Sequence, residues 1–202
     1  DIQIKKMLSL KDSLAVLKKT NALLEGHFVL SSGLHSSMYI QCAKLLSYPH
    51  LSSKICKSLS IKIKKKFKNI DLILAPAIGG IVIGYELGRL LKVETIFAER
   101  VNKKFKLRRG FNIKKNSRVL IIEDVITTGG SSLECSKLVK KYRGKLVGYA
   151  SLINRSNKKN LKIKNKTIIS QVYINIPTYK KNKLPESLKK ISVTSPGSRF
   201  IK

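Results

Sequence analysis

Val119-Leu120-Ile121-Ile122-Glu123-Asp124-Val125-Ile126-Thr127-Thr128-Gly129-Gly130-Ser131-Ser132 runs from an apolar segment through two acids into a turn. Val119–Ile122 is wholly apolar, as expected of a strand buried on both faces. It ends in Glu123 and Asp124, the only adjacent acidic pair among 11 Asp+Glu. Gly129 and Gly130 let backbone N–H groups approach an anion closely. The helix predicted over 133–142 points its N-terminal amides at the same spot. Thr127, Thr128, Ser131 and Ser132 add hydroxyl donors. Carboxylates are poor phosphate ligands because like charges repel. They suit ribose hydroxyls, a Mg²⁺ ion, or positive charge developing on a sugar carbon. A phosphate site beside carboxylates points to a phosphorylated sugar. A capped helix with Thr128 or Ser131 as N-cap accounts for the hydroxyls, but leaves the acidic pair unexplained.

The same alternation extends along the chain. Leu8, Leu10, Leu14, Val16, Leu17, Leu23 and Leu24 have helical spacing over 7–24, and 26–33 reads as a polar turn. A strand is predicted over 36–43 and a helix from Pro49 to about Lys66. Short apolar strands follow at 71–75, 93–98, 119–122 and 145–153, with helices at 81–91 and 133–142 between them. Strands alternating with helices predict an α/β fold, a parallel sheet covered on both sides. Ligands of such sheets bind beyond the carboxyl ends of the strands, where the polar motifs fall. Residues 100–117 carry eight basic residues and no acid, and read as a long functional loop. Residues 156–166 read as a Lys/Asn-rich turn, 167–176 as a strand, and 177–202 as an irregular or helical tail.

At 202 residues and 43% hydrophobic, the chain can bury a core as one domain. No apolar run approaches the ~18 residues of a membrane span. The opening Asp1–Lys5 carries no signal-peptide apolar block, so a cytoplasmic protein is expected. Cys42, Cys56 and Cys135 are odd in number and lack metal or redox spacing, as free thiols of a reducing compartment would. The net charge is +31. It fits a polyanionic partner such as nucleic acid. Because the lysines are spread over almost every segment beside Ile and Asn, it also fits a compositional drift, or a general attraction for anionic substrates.

The 119–132 stretch resembles the phosphoribosyl diphosphate (PRPP) signature of the type I phosphoribosyltransferases, and residues 20–155 are most similar to the orotate phosphoribosyltransferase family. The resemblance implies a single domain over 1–202. It would have a parallel sheet flanked by helices and a small base-covering hood formed by about 1–45 and part of the tail. PRPP would be bound by Arg100, Ile78, Gly79, Glu123, Asp124, Val125, Ile126, Thr127, Thr128, Gly129, Gly130 and Ser131. The diphosphate loop is Ala75-Pro76-Ala77-Ile78-Gly79-Gly80-Ile81, where many members place Lys at the position of Gly79. Orotate would be held by Thr127, Ser31, Tyr39, Ile40 and Arg155, the last pairing with its carboxylate. Glu123, Asp124, Lys103, Lys104 and Lys106 would be catalytic. Mg²⁺ would be carried mainly by PRPP, with Asp124 the candidate protein ligand. The implied partner is a second copy of the chain, its active site reached by the 100–117 loop. The implied reaction is orotate plus PRPP giving orotidine 5′-phosphate and pyrophosphate, a step of pyrimidine synthesis. Two alternatives are transfer to a purine or other base, and a PRPP-sensing RNA-binding regulator. Arg155 argues against the first, and the intact acidic pair and basic loop against the second.

Overall fold

The computed structural model describes residues 7–30, 32–157 and 159–196. The larger of two sheets holds β3 (Leu72–Pro76), β4 (Glu94–Val101), β5 (Lys104–Leu107), β6 (Arg118–Ile126), β7 (Lys145–Asn154) and β8 (Ile168–Tyr173). Its order is β5-β4-β3-β6-β7-β8, parallel throughout except for β5, which returns antiparallel along β4. The apolar runs of the sequence are explained by burial on both faces. Ile73, Leu120, Ile122, Ala150 and Leu152 turn to one side. There they meet Ile55, Leu59 and Ile63 of α3 (Pro49–Lys66) and Ile83 and Leu87 of α4 (Gly79–Leu91). Leu72, Leu74, Val119, Ile121 and Tyr149 turn to the other, against Cys135 and Val139 of α5 (Gly130–Lys141) and Phe105 of β5. Alternate side chains of each strand thus serve two different cores. No described helix is long and apolar enough to cross a membrane, and all three cysteines are free and buried.

The helix starting near the N-terminus is shorter than its leucine spacing predicts. α1 (Leu10–Lys19) opens with a reciprocal cap between Ser9 and Asp12 and stops at Thr20, whose hydroxyl bonds back to Val16 O at 3.0 Å. Asn21 then takes a left-handed conformation, and Leu23 and Leu24 enter a strand. That strand, β1 (Leu23–Val29), covers much of the predicted turn and pairs antiparallel with β2 (His35–Ile40). The predicted strand over 36–43 overruns, because Cys42–Leu46 forms the short helix α2. The tail is less irregular than expected. β9 (Thr178–Tyr179) and β10 (Val193–Thr194) flank the pair in a second sheet of order β10-β1-β2-β9. Two-residue strands are too short for an alternation to show. The tail also includes α6 (Glu186–Lys189). His27 anchors it through Nδ1, which donates to Ile191 O at 3.1 Å, leaving Nε2 to accept from His35 Nδ1 at 2.7 Å. His27, within the segment expected to cover a base, is therefore buried in this link.

Residues 100–117 are not one long loop. β4 continues to Val101, Asn102 and Lys103 make the turn, and β5 returns to Leu107. The hairpin holds because Phe105 is buried while Lys104 and Lys106, on either side of it, face solvent. Leu74 tests the two-core arrangement. Leu74→Ala should cost about 2–5 kcal/mol, read as a lower urea midpoint at unchanged slope.

Candidate active site

β3 and β6 are hydrogen-bonded neighbours, yet the helices that follow them cover opposite faces of the sheet. The strand order reverses between them, which leaves a crevice beyond their carboxyl ends. On one side of it, Ala77 N–H donates to Ala98 O at 2.8 Å, the Ala77–Ile78 peptide is cis, and α4 begins at Gly79 with no side-chain cap. On the other side, Gly129 takes the left-handed conformation (φ 72°), and α5 begins at Gly130, again with no side-chain cap. Neither Thr128 nor Ser131 caps this helix. Two helix N-termini thus offer orphan N–H groups and positive dipole ends on the two sides of one crevice. Thr127 and Thr128 are exposed beside them.

The acids sit between these N-termini, within the last four residues of β6 rather than beyond it. Asp124 Oδ1 accepts from Val125 N–H at 2.8 Å, and Cys42 Sγ lies 3.9 Å from its carbonyl. A Cβ at Gly79 would come within 2.7 Å of Asp124 Oδ2 and 2.8 Å of Oδ1. The bare glycine is what allows the first turn of α4 to close against this carboxylate. Asp124, Ile78, Gly79, Val82, Ala43, Leu46 and Ser47 line a cavity of ≈ 250 Å³. Glu123 accepts a short hydrogen bond from Ser132 Oγ. Ser132 is fully buried, so its hydroxyl is engaged by the acid and not open to a phosphate. Val125 packs on the core and Ile126 is buried, leaving only their backbone to face a ligand. Burial is the main force on both acids. It raises Asp124, and with the neighbouring Asp124 charge it raises Glu123 to about 7, against the pull of Ser132.

Arg155 follows β7, and its N–H donates to Ile126 O at 3.0 Å, which brings it to the turn between β6 and α5. Its half-buried guanidinium, lowered in pKa by desolvation, makes no ion pair among the described residues. Arg100 grips Glu134 of α5 with two bonds (3.1 and 3.0 Å), donates to Lys103 O, and lies 4.1 Å above the Phe105 ring. Lys103, Lys104 and Lys106 stand exposed on the hairpin and form no ion pair with Glu123 or Asp124. Tyr39 and Ile40 belong to β2. Tyr39 meets the Phe28 ring at 5.9 Å, Ile40 packs on the core, and neither lines the Asp124 cavity. Ser31 lies outside the described residues. Sequence reasoning missed the Glu123–Ser132 bond, the Arg100–Glu134 pair, and a second pair between Arg109 and Glu99 at 3.0 Å. The first was legible as a helical serine nine residues past a strand-end acid. The ion pairs join separate elements and left no local pattern.

The raised Glu123 value has a sign that can be measured. Its folded value of about 7 exceeds the ordinary 4.5, so folding takes up a proton between the two. Its contribution to stability is complete below pH 4.5 and is lost as pH rises through 7. A shift of this size is worth on the order of 3 kcal/mol. Glu123→Gln should therefore raise the Tm of the ligand-free protein at pH 8, with the gain fading toward pH 5. Thermal scans across that range check it, and parallel curves for both proteins would exclude Glu123 as the cause.

Residues 46–182 match the model of the phosphoribosyl transferase domain. The orotate phosphoribosyltransferase of Caldicellulosiruptor saccharolyticus is 45% identical over 188 residues, 93% of this chain and 96% of that protein. That of Erythrobacter litoralis is 41% identical over 191 residues, 94% of this chain and 97% of that protein. The crystal structure of orotate phosphoribosyltransferase from Aeropyrum pernix superposes with a TM-score of 0.66 at 24% identity, over 79% of this chain and 92% of that one. An adenine phosphoribosyltransferase structure gives 0.63 at 19% identity, over 78% of this chain and 99% of that one, a likeness of fold alone. With its fold, its crevice and its nearly full-length relatives in agreement, the chain belongs to the phosphoribosyltransferases, in the orotate phosphoribosyltransferase family.

Proposed function

We propose that this protein transfers the 5-phosphoribosyl group of PRPP to orotate, giving orotidine 5′-phosphate and pyrophosphate for pyrimidine synthesis. The observation that carries the reading is the pair of uncapped helix N-termini on either side of two carboxylates. PRPP has matching parts: a phosphate at one end, a diphosphate at the other, and ribose hydroxyls between. The α5 turn, from Thr127 to Ser131, takes the 5′-phosphate. The α4 turn, at Ile78 and Gly79, takes the diphosphate through backbone N–H groups. Glu123 and Asp124 bind the ribose hydroxyls and stabilise the oxocarbenium-like sugar as the diphosphate departs.

Orotate carries its charge on the carboxylate and keeps a proton on the attacking ring nitrogen. As that nitrogen bonds to the anomeric carbon and the C–O bond to the diphosphate breaks, the N–H proton leaves to water or to the departing pyrophosphate. Arg155 is the residue suited to the orotate carboxylate. A half-buried guanidinium without an ion-pair partner among the described residues favours a carboxylated base over a purine. Arg100, Lys103, Lys104 and Lys106 neutralise the leaving pyrophosphate when the 100–117 segment closes and excludes water. The oxygen-only carboxylate pair suits Mg²⁺. No cluster of three His, Cys, Asp or Glu exists among the described residues. The ion would therefore be carried mainly by the diphosphate, with Asp124 as a protein ligand, and would supply further charge neutralisation.

The working unit is a cytoplasmic homodimer. Ile78, Val82 and Tyr85, exposed by 85%, 51% and 69%, form an apolar surface beside the cavity that a second copy would cover. Buried free thiols fit a reducing compartment.

Ultraviolet absorbance of orotate tests the reaction, with adenine, hypoxanthine and uracil in parallel. Loss of the orotate signal only with both PRPP and Mg²⁺ is expected. Turnover of another base alone would overturn the specificity, and silence with every base would overturn the activity. Asp124→Asn should lower kcat by about 10²–10³ without unfolding the protein, and near-normal turnover would remove Asp124 from the mechanism. Arg155→Gln should raise the KM for orotate while sparing that for PRPP. Equal effects on the two constants would remove Arg155 from base recognition.

A further inference from the structure

The Lys/Asn-rich turn at 156–166 reads from its sequence as a surface connection, but its inner side is packed on the phosphate turn. Lys162 N–H donates to Thr128 O at 2.8 Å. The next residue, Ile163, is 3% exposed and presses on Gly129. A Cβ at Gly129 would lie 2.8 Å from Ile163 Cγ1 and 3.4 Å from Leu161 Cδ1. The connection is itself ordered by Asn157. The Asn157 side-chain oxygen accepts Lys159 N–H at 3.0 Å, and the Asn157 backbone carbonyl accepts Asn160 and Leu161 N–H at 3.0 Å each. These contacts fall on the two residues that need outside support. Gly129 must hold a left-handed conformation to start α5, and no side chain caps that helix.

Peptide geometry gives the contacts a consequence. In a planar trans peptide the C=O and the following N–H point in opposite directions. Holding Thr128 C=O outward on Lys162 therefore turns Gly129 N–H away from the 157–166 turn. The Ile163 side chain blocks the glycine from relaxing toward it. We infer that the 157–166 turn is a positioning clamp for the phosphate turn, with Lys162 N–H and Ile163 fixing the Thr128–Gly129 peptide so that its N–H serves the ribose 5-phosphate. This rests on the phosphoribosyl reading above. Lys162 and Ile163 are positioning residues and touch no reacting atom.

Ile163→Ala in the full chain tests it, with Leu72→Ala as the control. Leu72 is buried in the same core but lies at the opposite end of its strand from the crevice. Binding of ribose 5-phosphate is measured by calorimetry, with Tm, the KM values for PRPP and orotate, and kcat alongside. Ile163→Ala should weaken ribose 5-phosphate and raise the PRPP KM about tenfold, the equivalent of one misplaced hydrogen bond. The orotate KM at saturating PRPP should hold. Leu72→Ala should lower Tm without moving the ribose 5-phosphate affinity. If Ile163→Ala does not fold, Ile163→Val gives the same comparison, with a rise of about two- to threefold expected from its smaller truncation. Unchanged ribose 5-phosphate affinity in the folded Ile163 variant, or equal loss in the control, overturns the clamp and leaves the reaction standing. A wild-type protein that neither binds ribose 5-phosphate nor consumes orotate overturns both.

Discussion

Two adjacent carboxylates must be kept without a cation of their own in a chain with 42 Lys+Arg. Six other acids find a basic partner within 3.0 Å: Glu25, Asp71, Glu86, Glu99, Glu134 and Glu186. Glu123 and Asp124 form no ion pair among the described residues. Burial sets them apart. Placed near the carboxyl end of a central strand, they are reached by Ser132 and by the backbone at Val125 rather than by a lysine. Desolvation raises both, and that energetic cost leaves the carboxylates open to an outside partner. On the proposed reading, a basic surface would draw in the polyanion and the acidic cleft floor would discriminate its sugar from its phosphates.

This arrangement constrains the surrounding backbone. Asp124 has room because residue 79 has no side chain, and the phosphate turn can form because residue 129 has none either. The two glycines serve opposite purposes. At Gly79 the missing atom is needed by a carboxylate inside the cleft, at Gly129 by Ile163 outside it. A lysine at position 79, common among relatives by the resemblance described above, would need the acid or the helix start to shift. The proposed function leaves diphosphate recognition here to helix amides, the type of donor it also assigns to the other end of the substrate.

What the sequence disclosed followed the range of the interactions. The β6 strand, the acids and the glycine turn are contiguous, so this strand–turn–helix unit was readable in fourteen residues. The α3 boundaries were legible because Pro49 marks the first turn and the apolar residues recur every four. By contrast, Leu23 and Leu24 continue the helical spacing of α1, and only the back-bonded Thr20 and the left-handed Asn21 show that the chain has turned. The 100–117 hairpin was hidden because its register depends on one buried residue, Phe105, among lysines. β9 and β10 exist only through partners more than a hundred residues away. The support of Gly129 by Ile163 was invisible because it joins two separate turns and leaves no local pattern.

The hairpin also shows why its ion pairs suit a segment proposed to move. Arg100–Glu134 and Arg109–Glu99 are two-pronged, but their arginines are 44% and 61% exposed. Exposed pairs of that kind contribute little to stability because solvent screens them. They are strong enough to choose one resting position for the hairpin and too weak to oppose a diphosphate, which offers either guanidinium a more highly charged partner. Phe105 remains buried beneath Arg100 and ties β5 to the core. Exchange of partners by the side chains therefore needs no unfolding of the hairpin. On the proposed reading, release of pyrophosphate would return the arginines to Glu134 and Glu99, so that these acids would compete with product for the same cations.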